Sequence, residues 1–283
     1  MRKTAIAAFT AGLFVAGSAL AHTPYLKPTT FAPDRGFVTV EAALAETGFF
    51  IPDFPIRQAG DYWTTGDSGE PVKATSVTML KEFAAVEVEL PANGTYRIST
   101  GERAGRSSKW ARIDGTWKMV RPAGAPAGPP RGGGGGDGPS RSVAEADVPA
   151  GAETMTSTSY MRADTYVTRG APNKGALKPT GKGLEVEPVT HPNEAFAGEA
   201  FKFRMLIDGK PLAHDFAIAR GGDAYAEKRF SYSGKTDAKG EAAVTFKDPG
   251  AYVLEIHYPV RTEGNPNPVE RSAIYTMTFE VTR

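Results

Sequence analysis

The 283 residues contain no cysteine. That absence excludes a disulfide framework, a thiolate metal site, a cysteine nucleophile and a lipid anchor on a cysteine behind a leader. An excess of either charge is missing too. Lys and Arg number 33 against 32 Asp and Glu, a net charge of +1, so the electrostatic footprint of a nucleic-acid binder is not there. After the opening apolar run no second one is long enough to span a bilayer. Histidine is scarce, with copies only at His22, His191, His214 and His257. None are spaced as a His-Glu-x-x-His helix requires, and no calcium-loop pattern is present.

What is there begins at the start. Arg2 and Lys3 precede an Ala-rich apolar run from Ala5 to Ala16, and Ser18 leads into the small-x-small ending Ala19-Leu20-Ala21. This is the pattern of a secretory signal peptide over residues 1–21. It predicts export, and with this composition a soluble protein of the bacterial periplasm. Cleavage after Ala21 leaves His22 as the first residue, followed by Thr23-Pro24-Tyr25-Leu26. A terminal histidine offers an amine and an imidazole nitrogen on one residue, a ready metal chelate. The plainer reading is that the peptidase has to leave some residue first. The amino-terminal copper/nickel site that needs a histidine in third place is excluded, because Pro24 is third.

Roughly 260 residues then remain, enough for one large or two ordinary domains. Val38, Val40, Ala42 and Leu44 alternate with more polar neighbours, the period of a half-buried strand. Val86, Val88 and Leu90 do the same, and Pro91-Ala92-Asn93-Gly94 then reads as a hairpin turn into Tyr96 and Ile98. Asp114-Gly115 and Asp208-Gly209 are further turns of this kind. The segment from about 122 to 145, with its glycine run Gly132–Gly136, reads as a flexible insertion. It is no phosphate loop, since Asp137-Gly138-Pro139 stands where Gly-Lys-Ser/Thr is needed. Glu153 to Arg169 reads as a closing strand of the first domain. About seven short strands follow from Leu184 onward, the mark of an Ig-like sandwich. The predicted fold is all-β: two Ig-like/prealbumin-like β-sandwich domains, 22–170 and 184–283, joined by a linker over 171–183.

The chemical candidates are few. Gly66-Asp67-Ser68-Gly69 is similar to the nucleophile motif of trypsin-like proteases, but Glu70 follows it and only His22 precedes it, so it reads as a surface turn. Glu255 and His257 share a strand face, where they either converge on an ion or form part of a solvated surface. His191 lies in a Pro-flanked turn, where turn bonding is the default. Glu46 and Asp53 bracket the loop Phe49-Phe50-Ile51-Pro52, whose aromatics either present themselves to a partner or tuck under the sandwich.

Several stretches occur together: His22-Thr23-Pro24-Tyr25-Leu26-x-Pro28, Phe49-Phe50-x-Pro52-Asp53, Gly94-Thr95-Tyr96-Arg97-Ile98-Ser99-Thr100-Gly101, Tyr166-Val167-Thr168-Arg169-Gly170-Ala171-Pro172 and His191-Pro192-Asn193-Glu194. Through them nearly the whole mature chain resembles a bacterial exported family of unknown function, often labelled the periplasmic component of cobalt/nickel ABC-type transport. Members of that family generally begin with the histidine matched by His22. Many carry a second histidine after the first strand, where this chain has Ala45-Glu46-Thr47-Gly48. The C-terminal half is similar to the carboxypeptidase-regulatory or collagen-binding B-type sandwich, through Gly209-Lys210-Pro211-Leu212, Thr236-Asp237-Ala238-Lys239-Gly240 and Pro249-Gly250-Ala251-Tyr252.

The resemblance implies a non-enzymatic periplasmic protein for nickel or cobalt, with a membrane transporter or outer-membrane receptor as partner. Site chemistry adds copper, which imidazole binds most tightly of the three. The expected ligands are His22, with His257 or His191 and with Glu46 or Asp53. The alternative is a metal-free module that presents the Phe49–Phe54 loop to a protein or carbohydrate. A copper-dependent oxidase would need a second histidine beside His22.

Overall fold

The computed structural model describes residues 22–46, 48–57, 60–124, 142–222, 230–259 and 267–283. The expected leader, 1–21, and the centre of the Gly/Pro-rich insertion, 125–141, lie outside the described residues. The first part of the chain contributes β1 (Thr23–Pro28), β2 (Phe37–Ala45), β3 (Phe54–Pro55), β4 (Trp63–Thr65), β5 (Pro71–Lys73), β6 (Ser76–Met79), β7 (Ala84–Glu89) and β8 (Gly94–Ser99). Next come β9 (Arg103–Ile113), β10 (Thr116–Arg121), β11 (Ser142–Ala144) and the longest strand, β12 (Thr154–Arg169). The second part adds β13 (Leu184–Pro188), β14 (Ala195–Phe196), β15 (Ala200–Ile207), β16 (Lys210–Pro211) and β17 (Asp215–Arg220). It ends with β18 (Tyr232–Lys235), β19 (Glu241–Thr245), β20 (Gly250–Tyr258) and β21 (Arg271–Thr282). The all-β sandwich expectation holds.

Three sheets form. One runs β1-β2-β7-β6, with β3 beside β2; a large middle sheet follows β11-β10-β9-β12-β21-β20-β17-β18; a third gathers β13, β15, β16 and β19. Strand β12 explains the arrangement. It pairs antiparallel with β8 and β9 of its own half and parallel with β21 of the other. Residues 162–168 are buried on both faces of the strand. Side chains alternate, so Ala163 and Val167 enter a core with Leu26, Val40, Val86 and Leu90. Tyr166 enters the other core, with Phe201, Phe203, Leu254 and Phe279. The middle sheet is thus one shared wall between two sandwiches. The strand expected to close the first domain serves both.

Two hairpins match expectation. Asp114-Gly115 joins β9 to β10, and Asp208-Gly209 joins β15 to β16. All four central residues have positive φ (51°, 77°, 48° and 73°), as the type I′ turn demands. The Pro91–Gly94 hairpin does not form. Strand β7 belongs to the first sheet and β8 to the middle one, so the chain crosses between layers there. The crossing is clamped by Tyr96, whose hydroxyl donates to the Ala92 carbonyl at 2.8 Å and accepts from the Ala92 N–H at 3.0 Å. The second sandwich repeats it: Tyr252 donates to the Asp248 carbonyl at 2.9 Å as the chain passes from β19 to β20. Each tyrosine follows a glycine two residues earlier, Gly94 (φ 142°) and Gly250 (φ 152°). These are tyrosine corners.

The stretch expected as a linker, 171–183, is fastened at both ends. Asn173 bonds the Thr95 N–H and hydroxyl oxygen, and Ala176 and Leu177 are buried. Thr180 and Gly181 donate their N–H groups to the Glu185 carboxylate at 2.8 and 2.7 Å. That carboxylate belongs to a buried ionic network. Arg162 lies 3.0 Å from Asp164 and 3.3 Å from Glu185, while the Tyr275 hydroxyl donates to Asp164 at 3.0 Å. Burial alone would raise the Asp164 carboxyl. The charges of Arg162 and Arg97, with hydrogen bonds from Arg162 and Ser99, outweigh burial and hold it below the ordinary carboxylate range.

Candidate functional site

The site is built where β1 begins. Strand β1 lies antiparallel to β2, from Thr23 opposite Ala45 to Pro28 opposite Val40, which sets His22 beside Glu46. Nε2 of His22 is 3.5 Å from Glu46 Oε2, and the imidazole ring rests 4.4 Å from the Phe54 ring. The two side chains are 32% and 41% exposed, open enough for an ion to reach from solvent. Glu46 also donates its backbone N–H to Asp53 Oδ2 at 2.6 Å. Asp53 therefore closes the loop that carries Glu46. Of the predicted residues, His22 and Glu46 meet side chain to side chain, and Asp53 reaches the pair only through the Glu46 backbone.

His257 sits on the other side of the same strand. Thr23 and Tyr25 point away from the face that carries Leu26, toward the middle sheet, where Tyr25 joins Phe49, Ala219 and Val253 in a third small core. There the Thr23 hydroxyl donates to Glu255 Oε1 at 2.9 Å. The same carboxylate oxygen is bound by His257 Nε2. Glu255 is 3% exposed, so this carboxylate is covered by β1 and belongs to no solvated face. The Thr276 hydroxyl fixes β1 further, donating to the Pro24 carbonyl at 2.7 Å.

The remaining histidines are engaged elsewhere. His191 lies 2.9 Å from the Thr95 hydroxyl and donates Nε2–H to the Asn173 carbonyl at 3.0 Å. Its Nδ1 accepts from the Asn193 N–H at 3.2 Å. Both ring nitrogens are spent on the junction between the halves, and burial lowers its pKa. The structure does not bring His191 to His22. His214 donates to the His257 carbonyl at 2.8 Å.

The aromatic loop is largely consumed inside the chain. Phe49 is buried, and its carbonyl accepts from the Gly222 N–H at 2.8 Å. Phe50, at φ 66°, lays its ring where a Cβ on Gly221 would come within 1.9 Å. Lys27 covers that ring at 5.2 Å. These two aromatics clasp the second sandwich.

Imidazole with carboxylate is a donor set that suits nickel, cobalt and copper. Among the described residues no three His, Asp or Glu side chains gather closely enough to hold one ion. His22 and Glu46 are two donors, and a third must come from something other than a described side chain. Thr23 and the burial of Glu255 were missed by sequence reasoning. The only signal was negative, because a carboxylate amid Val253, Leu254 and Ile256 looks like the polar face of an edge until its cover is known.

Among the described residues no helix is long and apolar enough to cross a membrane. The family described as a domain of unknown function, DUF4198, matches residues 19–259. No curated protein matches the chain.

Proposed function

The chain belongs to the DUF4198 family, and from that footing we propose that it is a non-enzymatic periplasmic protein that binds a divalent transition metal at His22. The observation that carries the reading is the His22–Glu46 pair, 3.5 Å apart and open to solvent, directly after the expected cleavage point. Cleavage after Ala21 frees an amine on the residue that already supplies the imidazole. Amine, imidazole and the Glu46 carboxylate then make three donors from two residues. Asp53 holds the Glu46 backbone, and Phe54 braces the ring. Nickel and cobalt are the cargo that the resemblance implies, and copper is the ion that the donor set binds most tightly. The protein would pass its metal to a membrane transporter or outer-membrane receptor.

Calorimetric titration tests this. Protein processed to begin at His22 is titrated with nickel, cobalt and copper, beside a form with one alanine added ahead of His22 and a Glu46→Gln variant. At least a tenfold loss of affinity in both is expected. Unchanged affinity in the extended form overturns the terminal-histidine site.

A further inference from the structure

A second aromatic surface lies on the middle sheet, where β9, β10 and β12 extend side by side. Directly opposed residues share a face, and the register sets Met119 opposite Trp110 and Trp110 opposite Met155, one apolar row across three strands. Trp117 stands opposite Arg112 in the next row. Ser108 and Ser157 oppose each other on the far side, and Arg121 follows Met119 two residues on, on the same face. The opposite face holds Ala111 and Val120, both buried. Trp110, Trp117, Met119 and Met155 are only half-buried, and none belongs to the three cores.

Two features of this face point to a ligand. Among the described residues Nε1 of Trp110 and Nε of Arg121 have no hydrogen-bond partner, although an enclosed polar group normally has one. Basic groups also frame the face: Arg112 and Arg121 flank the tryptophans, and Glu153 lies 3.4 Å from Arg112 in an exposed pair. Such exposed pairs are weak and exchange readily. Indole faces stack on flat apolar surfaces, guanidinium forks take carboxylates, and serine hydroxyls take neutral hydroxyls. A sugar ring bearing a carboxylate presents all three complements. An acidic peptide has no use for the paired indoles and the methionine row.

We propose that this face of the β9–β10–β12 ribbon is a docking surface for an acidic glycan whose rings carry carboxylates. It is independent of the His22 site. The probe is alginate, a linear polyuronate, followed by affinity electrophoresis and calorimetry on the full processed chain. Dextran, polyglutamate and phosphatidylglycerol vesicles are run beside it. Alginate is expected to bind, and Trp117→Ala and Arg121→Gln are each expected to weaken it tenfold or more with unchanged melting. Trp117→Tyr, which keeps a ring, is expected to recover most of the loss. If Trp117→Ala unfolds the protein, Arg121→Gln and Trp117→Tyr carry the test. Absence of alginate binding, or binding indifferent to these variants, overturns the proposal. So does dextran, polyglutamate or the vesicles binding as tightly as alginate.

Discussion

Thr23 donates its hydroxyl to the buried carboxylate of Glu255, 232 residues further along the chain. One short bond thus anchors the strand that carries His22 to the far sandwich. Thr23→Val keeps the shape and removes the donor. Leaving a buried carboxylate short of a partner costs about 1–3 kcal/mol, to be read from urea melts. The loosened strand end should also weaken nickel binding several-fold. Unchanged stability and unchanged affinity together would show that the anchor is idle.

Gly221 tests the clasp. A methyl group there would meet the Phe50 ring at 1.9 Å, so Gly221→Ala must push the ring off its seat. Overpacking of this kind costs about 1–3 kcal/mol. In a double-mutant cycle Phe50→Ala should relieve much of that cost, and simple additivity of the two would refute the contact as its source.

The ionic network between the halves gives an acid dependence with a definite sign. Asp164 has its pKa depressed in the fold, so its contribution is complete above the unfolded carboxyl value of about 3.9. It is lost as the pH falls from there through the depressed value. Asp164→Asn should lower stability at neutral pH and make the decline below about pH 4 shallower. Arg162→Leu, which removes the guanidinium that pairs both buried carboxylates, Asp164 and Glu185, should cost about 3–5 kcal/mol.

His191 is predicted to act in the fold and not in metal binding. Burial lowers its pKa, so below the unfolded value of about 6.5 the unfolded chain takes the proton first and stability falls. His191→Ala should cost about 1–3 kcal/mol through its stranded partners and leave the nickel affinity of processed protein unchanged. A tenfold loss of nickel affinity at unchanged stability would return it to the ligand set.

The fold was legible where local chemistry decides it. Asp114-Gly115 and Asp208-Gly209 adopt the left-handed turn that their residue types favour. Pro91–Gly94 uses the same residue types for a crossing between layers, and the distinguishing mark was Tyr96, two residues past Gly94, echoed by Tyr252 past Gly250. Of the site, Glu46 and Asp53 were legible because they bracket one loop beside the first strand. The burial of Glu255 was not, because its cover is a strand from the opposite end of the chain. The double role of β12 was hidden likewise, since its second partner, β21, comes last.

That pairing has a consequence for the order of events during synthesis. A chain delivered amino end first presents β12 long before residues 271–282 exist to line it. Until then one edge of the shared wall is bare, and the seats for Pro24 and Thr23 on Thr276 and Glu255 are not yet assembled. The contacts that complete both sandwiches are long-range, and such contacts form late. Truncation before Arg271 should therefore yield a chain that completes neither sandwich, however intact its first 270 residues.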